Sequence, residues 1–184
     1  DNWTEMYRDA QEYAAPNRET FDDEAKGQEK NGAQIVFDST AQDAVSSGVS
    51  NLHSSLTPPM KRFIELKAGS GIDSNPDLDK ALERITEVMF SHIHNSYFDT
   101  RILESYHDLF FGTAAILAFE GTQSQPFNFV NVPLSQLYLE EGPHGRIDTS
   151  FREFCLTARN IKKQWPDATF GKEISEIVEE TPDK

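Results

Sequence analysis

Two histidines are the side chains of this chain most suited by type to bind a metal. His92 and His94 are two residues apart in a helical pattern, a spacing that points their side chains nearly opposite ways. A zinc site also needs a second pair of Cys or His ligands, which the sequence lacks. We therefore predict that neither histidine is a ligand and that the chain has no metal site.

Two pairs of glutamates could in principle supply an acid and a base. Glu140-Glu141 and Glu179-Glu180 are adjacent in sequence. Adjacent carboxylates on a strand point to opposite faces, so they do not form the couple of a glycosidase. The sequence also has no G-x-S-x-G, P-loop or G-x-G-x-x-G motif. We predict no catalytic residue, no cofactor and no enzymatic activity. A hydrolase with a dispersed carboxylate site remains the less favoured alternative.

The single cysteine, Cys155, lies between Phe154 and Leu156 in the segment FREFCLT. One cysteine excludes a disulfide within the chain and fits a reducing compartment. Its apolar neighbours predict a buried thiol that packs as a small hydrophobic side chain and does not act as a nucleophile.

The charge balance is strongly acidic, with 31 acids against 17 bases and a net charge of -14 over 184 residues. Neutralising phosphates takes clusters of Lys and Arg, so we expect no tight binding of duplex DNA. Mean hydropathy is -0.59. No apolar run approaches the ~18 residues of a membrane span, so we expect no membrane association. The sequence begins without a Met, and we interpret it as a piece of a longer protein.

The predicted elements begin with a short helix and a polar arm. Apolar side chains recur every three or four residues, and Pro16 ends the pattern. Residues 17–34 are polar and nearly free of large apolar side chains, which predicts an exposed arm. We divide the chain into this helix and arm, residues 1–36, and an α+β domain, residues 37–184. The apolar face of the first helix consists of Trp3, Met6, Tyr7, Ala10 and Tyr13.

A helix of small residues, 40–57, opens the predicted domain. Ser39 and Gln42 have the spacing of a capping box, and Pro58-Pro59 ends the helix. Beyond the prolines, MKRFIELK alternates apolar and charged residues, which predicts a half-buried strand. The small side chains of the helix stripe would let another backbone approach closely. The stripe consists of Ala41, Ala44, Val45, Gly48, Val49, Leu52 and Leu56.

Two further helices and a strand follow. Asn75 is the predicted cap of the first, with Pro76 in its first position. The tripeptide NSY separates the helices, Gly112 closes the second, and TAAILAFEG predicts a buried strand. The predicted core faces are Leu78, Leu82, Ile85, Met89 and Ile93 in the first helix, and Phe98, Ile102, Leu103, Tyr106, Leu109 and Phe110 in the second.

After Pro126 the apolar period changes to two, which predicts strands at FNFVNV, QLYLEE and RIDTSFREFCLT. A turn in EEGPHGR makes the last two a hairpin, and a β-bulge near Arg152-Glu153 would correct a slip of phase in the last strand. Two short helices, TARNIKKQW up to Pro166 and GKEISEIVEE, complete the chain. The predicted fold class is α+β, with helices packed on a small, mainly antiparallel sheet.

In the order and spacing of these pieces, the chain resembles the portal, or head-to-tail connector, proteins of short-tailed bacteriophages. The likeness lies in three segments that together cover roughly residues 35–170. They are AVSSGVSNLHSSLTPPMKRFIEL, ERITEVMFSHIHNSYFDTRILESYHDLFFGTAAILAFEG and VPLSQLYLEEGPHGRIDTSFREFCLTARNIKKQWP. The matched region resembles the N-terminal wing of such a subunit. The long stem helix and the clip have no counterpart here.

The resemblance implies a structural function without catalysis. Portals form a ring, usually of twelve copies, at one vertex of the virion, and they are made in the cytoplasm of the bacterial host. The implied partners are further copies of the chain, capsid, terminase and tail or adaptor proteins. DNA is packaged and ejected through the channel without tight binding. Helix 40–57 and the strand-rich residues 126–156 would then present surfaces to neighbouring subunits. A different virion or adaptor-type protein-binding module is the main alternative.

Overall fold

Helices and two small sheets make up the structure, a computed structural model that describes residues 2–16, 38–71 and 75–172 with positions 175 and 177. The α+β class predicted from the sequence is confirmed. The chain divides into two compact units, Asp1–Leu137 and Tyr138–Lys184. The polar arm, the boundary after residue 36 and most of the helix GKEISEIVEE lie outside the described residues, so these remain predictions. Among the described residues, no helix has the length and apolarity needed to cross a membrane.

The first unit contains α1 (Asn2–Ala14), α2 (Thr40–Leu56), α3 (Pro76–His94) and α4 (Phe98–Phe111). The predicted start of α3 is confirmed, because the Asn75 side chain accepts hydrogen bonds from the backbone N–H of Asp77 at 3.0 Å and of Leu78 at 2.8 Å. The break at NSY is confirmed too, since α3 ends at His94 and α4 begins at Phe98.

The predicted capping box of α2 is wrong. The Ser39 side chain makes no hydrogen bond to the helix backbone, and its hydroxyl donates to Asp43 instead. Asp38 occupies the start of the helix, where its Oδ1 accepts from the hydroxyl of Thr40 at 2.7 Å and from its N–H at 2.9 Å. These two bonds, the hydroxyl first, hold the pKa of Asp38 below its ordinary value.

The predicted stripe of α2 is confirmed at its centre only. Val49 is 1% exposed, and the Gly48 backbone lies against the ring of Phe110 from α4, where an added Cβ would overlap that ring. The ends of the stripe, Ala41, Ala44 and Leu56, are exposed. A buried hydrogen bond of 3.0 Å between the hydroxyls of Thr57 and Tyr106 joins the end of α2 to α4.

The buried faces of the other helices differ in part from the predicted ones. On α1, Gln11 is buried, whereas Trp3, Met6 and Tyr13 are exposed. On α3, Thr86 and Phe90 are buried and Ile85 is exposed. On α4, Tyr106 is buried as predicted, together with Ser105 and Asp108, whereas Leu109 and Phe110 are exposed. Polar side chains occupy the core because each of them finds a partner there, which a count of apolar residues does not anticipate.

The predicted strand at residues 60–67 is wrong. This segment is not a strand in the structure, since no described strand pairs with it. It is held by side chains instead. The Phe63 ring contacts Phe90 edge-on at 5.0 Å and stacks on Phe98 at 5.7 Å, measured between centroids. Arg62 forms an ion pair of 2.7 Å with Glu87.

A two-stranded antiparallel sheet, β1 (Ala115–Glu120) and β2 (Phe127–Val132), packs against α4. On the face toward α4, Asn131 near the end of β2 accepts a hydrogen bond of 2.6 Å from Ser105 and donates one of 3.1 Å to Asp108. The strand β1 was predicted to be buried, and this is wrong in part, because Leu117 and Phe119 on its outer face are exposed.

The second unit contains β4 (Ile147–Arg152) and α5 (Ala158–Gln164), and β4 pairs with β3 (Leu137–Glu141). The predicted hairpin is confirmed, with a hydrogen bond of 2.8 Å from the Gly142 N–H to the Arg146 carbonyl across its turn. The predicted bulge is wrong, because β4 ends at Arg152. Residues 153–157 belong to no strand, and Cys155 among them is exposed. The prediction that Cys155 is buried is therefore wrong.

Candidate interaction surface

The residues first considered for metal chemistry do not converge. The His92 ring faces Phe127 at 6.5 Å between centroids. His94 instead places Nδ1 3.6 Å from Oδ2 of Asp99, across the joint between α3 and α4. No group of three His, Cys, Asp or Glu residues within the described ranges could hold a metal ion.

The glutamate pairs do not form a reactive site within the part of the chain that the structure describes. Glu140 and Glu141 are exposed at the end of β3, and Glu179 and Glu180 lie outside the described residues. The exposure of Glu140 and Glu141 favours solvation over acid–base work.

Uncovered apolar surface is the most prominent property of the described residues. On the outer face of the first sheet, β1 carries Leu117 and Phe119, and the register places Val130 opposite Leu117. The other face of this sheet packs against α4, so these apolar side chains are left uncovered on the outer face. Exposed apolar side chains that cluster on one face are suited to contact another protein surface.

The hairpin of β3 and β4 has a second uncovered apolar face. Because Gly142 bonds with Arg146 across the turn, odd-numbered residues of the two strands share one face. Leu139, Ile147 and Phe151 lie on this face, and Ile147 and Phe151 are 62% and 57% exposed. Asp148 and Arg152 lie on the opposite, polar face. Burying one such apolar side chain contributes about 1.5–3 kcal/mol, so this face alone could stabilise a protein–protein contact.

A groove lies between the extended segment of residues 62–68 and the first half of α3. It encloses about 1070 Å³, and its lining includes Phe63, Leu66, Asp79, Glu83 and Thr86. Small-molecule sites reach about 1,000 Å³ and are mostly enclosed and apolar, whereas this groove has exposed charged walls. The groove therefore differs from a typical small-molecule pocket.

The sequence predicted two surfaces that face neighbouring subunits, helix 40–57 and residues 126–156. The central stripe of α2 packs against α4 of the same chain, so Gly48 and Val49 are not available to a neighbour. Residues 126–156 expose apolar side chains, and their contact with a neighbouring subunit stays a prediction. The sequence did not predict the groove. The alternation in MKRFIELK was the available signal, but it was interpreted as a paired strand.

One family of known proteins matches the whole chain. A family model for "Bacteriophage head to tail connecting protein" matches residues 1–184. No curated protein matches the chain.

Proposed function

The chain belongs to the family of bacteriophage head to tail connecting proteins, and from this premise we propose that it is a subunit of the ring-shaped portal through which DNA is packaged and ejected. Membership of this family makes the chain a structural connector of the phage particle. The observation that supports the ring-shaped portal is the family match over all 184 residues.

The proposed mechanism is scaffolding by protein–protein contact. Exposed apolar residues on two separate sheets, Phe119 on β1 and Ile147 on β4, supply surface whose burial stabilises assembly. The partners we propose are further copies of the chain, together with capsid, terminase and tail or adaptor proteins. The net charge of -14 suits a channel wall that DNA slides past, because like charges repel the phosphates.

We place the protein at the portal vertex of the virion, after synthesis in the cytoplasm of the bacterial host. We further propose that it acts without a cofactor and without catalysis. A test of the last point replaces Glu140 and Glu141 by Gln and measures phage production. The scaffolding proposal expects normal yield of DNA-filled particles, whereas loss of packaging with intact assembly would favour a hydrolase.

Electron microscopy of the full-length protein tests the ring. We expect rings with a central hole, and a solution mass that is a whole multiple of the subunit mass. A protein that stays monomeric at all concentrations, and that binds other virion proteins one to one, would overturn the proposal in favour of an adaptor-type binding module.

A further inference from the structure

We propose that the extended segment of residues 62–68 receives strand β4 of a second copy of the chain as an added antiparallel strand. The proposal rests on the ring-subunit function above and names the surfaces that make one contact between subunits. Strand addition satisfies backbone groups at an open edge, and its side chains determine which partner fits.

The segment has the alternating sequence of a strand but lacks backbone pairing within the described residues. Among the described residues, no backbone group of residues 62–68 bonds to another backbone group, and the N–H of Leu66 reaches only the Thr86 hydroxyl at 3.3 Å. Ile64 is 50% exposed and Leu66 is also exposed, so its apolar side chains are uncovered too. The groove beside it leaves room for an incoming chain.

The hairpin supplies a matching strand. Within the described residues, β4 pairs with β3 alone, so its second edge is open. No residue of β3 or β4 is buried, and the apolar face that contains Ile147 and Phe151 lacks a cover. The segment thus lacks a paired strand, and the hairpin is a sheet of only two strands. Pairing the two makes a three-stranded sheet, which is stable where a two-stranded sheet is marginal.

Charge selects the register. If Ile64 lies opposite Phe151 in an antiparallel pair, then Lys67 lies opposite Asp148 and Leu66 lies opposite Thr149. Apolar residues then meet apolar or β-branched ones and a base meets an acid, pairings that stabilise a sheet.

The neighbouring registers are worse. A shift of two residues in one direction puts Glu65 opposite Asp148, two acids, and a shift in the other direction puts Ile64 opposite Glu153. Opposed like charges and a charge against an apolar side chain both weaken a pair of strands.

A second copy fits the proposed ring because the contact uses two different surfaces. Such a heterologous contact, in which each subunit offers its segment to one neighbour and its hairpin to the other, closes into a ring when the rotation between subunits closes.

Disulfide trapping between copies tests the pairing. Two variants are made in a Cys155→Ser background, one with Ile64→Cys and one with Phe151→Cys, and each has its own mass tag. Both positions are more than a third exposed, so neither change removes a buried group. Directly opposite residues of antiparallel strands lie within disulfide range. On mixing under mild oxidation, we expect a crosslinked heterodimer well above the yield of either homodimer.

Val88→Cys is the matched control for Ile64→Cys, since Val88 is 52% exposed on α3 but is not part of the segment. Equal heterodimer yield from the Val88 and Ile64 variants would overturn the proposal. So would a double variant, Ile64→Cys with Phe151→Cys, that crosslinks only within single molecules at high dilution, because the strand would then come from the same chain.

Charge exchange tests the register. Lys67→Asp in the first variant, or Asp148→Lys in the second, should each lower the heterodimer yield by about two- to fivefold, and both together should restore it. Absence of that restoration would overturn the register. Rings of the full-length protein without the crosslink between positions 64 and 151 would refute this contact and leave the proposed function intact. Absence of both rings and crosslink would refute both.

Discussion

Gly48 and Asn131 determine how closely α4 packs against helix α2 and strand β2. Gly48 allows the ring of Phe110 to approach the backbone of α2, and Asn131 joins Ser105 and Asp108 of α4 to strand β2 through buried hydrogen bonds. The first contact depends on the absence of a side chain, and the second on a side chain that both donates and accepts. Each can be tested with a single substitution.

Replacing Gly48 by Leu should destabilise the protein by about 1–3 kcal/mol, because the new side chain would overlap the ring of Phe110 and force α2 and α4 apart. Urea unfolding followed by circular dichroism measures the change. Gly69→Leu is the control, since nothing lies within 4 Å of a Cβ at that position. Equal midpoints for the two variants would contradict the close packing of α2 on α4.

Replacing Asn131 by Ala should cost about 1–3 kcal/mol, because the hydroxyl of Ser105 and the carboxylate of Asp108 would each lose a buried partner. Asn128→Ala removes the same group from an exposed position of the same strand and should be nearly neutral. The free energy of unfolding is measured for both variants. A loss of stability in Asn128→Ala as large as that in Asn131→Ala would mean that the buried network contributes little.

At the scale of elements, aromatic rings hold the segment of residues 62–68 against α3 and α4. The Phe63 ring contacts Phe90 of α3 and Phe98 of α4, and Phe98 in turn contacts Phe129 of β2 at 5.0 Å between centroids. This row of rings joins the segment, two helices and the first sheet. It keeps Phe63 inward and leaves the neighbouring Ile64 exposed for a partner.

Replacing Phe63 by Ala should lower stability by about 1–3 kcal/mol, less than a fully buried phenylalanine would cost, because Phe63 is only half-buried. Ile64→Ala, measured on dilute protein, should change stability by no more than about 0.5 kcal/mol. Thermal melts of the two variants provide the comparison. If Ile64→Ala were the more damaging change, the inward and outward assignments of the segment would be reversed.

For the whole molecule, the net charge of -14 governs behaviour toward nucleic acid. The described chain does have one small basic region, since residues 154–166 include Arg159, Lys162 and Lys163 and no acid. Three bases in a strongly acidic protein neutralise few phosphates, and affinity for duplex DNA grows with that number.

We expect no measurable binding of duplex DNA in the range of ~10⁻⁴–10⁻⁶ M that non-specific binders show at physiological salt. Fluorescence anisotropy with a labelled duplex tests this, with a salt titration to expose any electrostatic contribution. Lys162→Glu with Lys163→Glu should leave the signal unchanged. Micromolar binding that the double variant abolishes would mean that the basic region holds DNA.

The sequence by itself determined the elements whose signals are local. Asn75 and Pro76 start α3, NSY separates α3 from α4, Pro166 follows α5, and period-two patterns give β2 and the hairpin. Each depends on backbone geometry within a few residues, so the local sequence is enough. The family, too, follows from the order and spacing of these elements along the chain, which need no knowledge of how they pack.

Tertiary structure alone decided which faces are buried and which extended segment finds a partner. Thr86 and Ser105 lie in the core while Ile85 and Leu109 are exposed, because buried polar groups were matched across elements far apart in sequence. Residues 60–67 have the alternation of a strand but no neighbouring strand among the described residues. Cys155 has apolar neighbours in sequence but follows the end of β4. A strand and a buried site are both defined by what lies across from them, which residues adjacent in sequence do not specify.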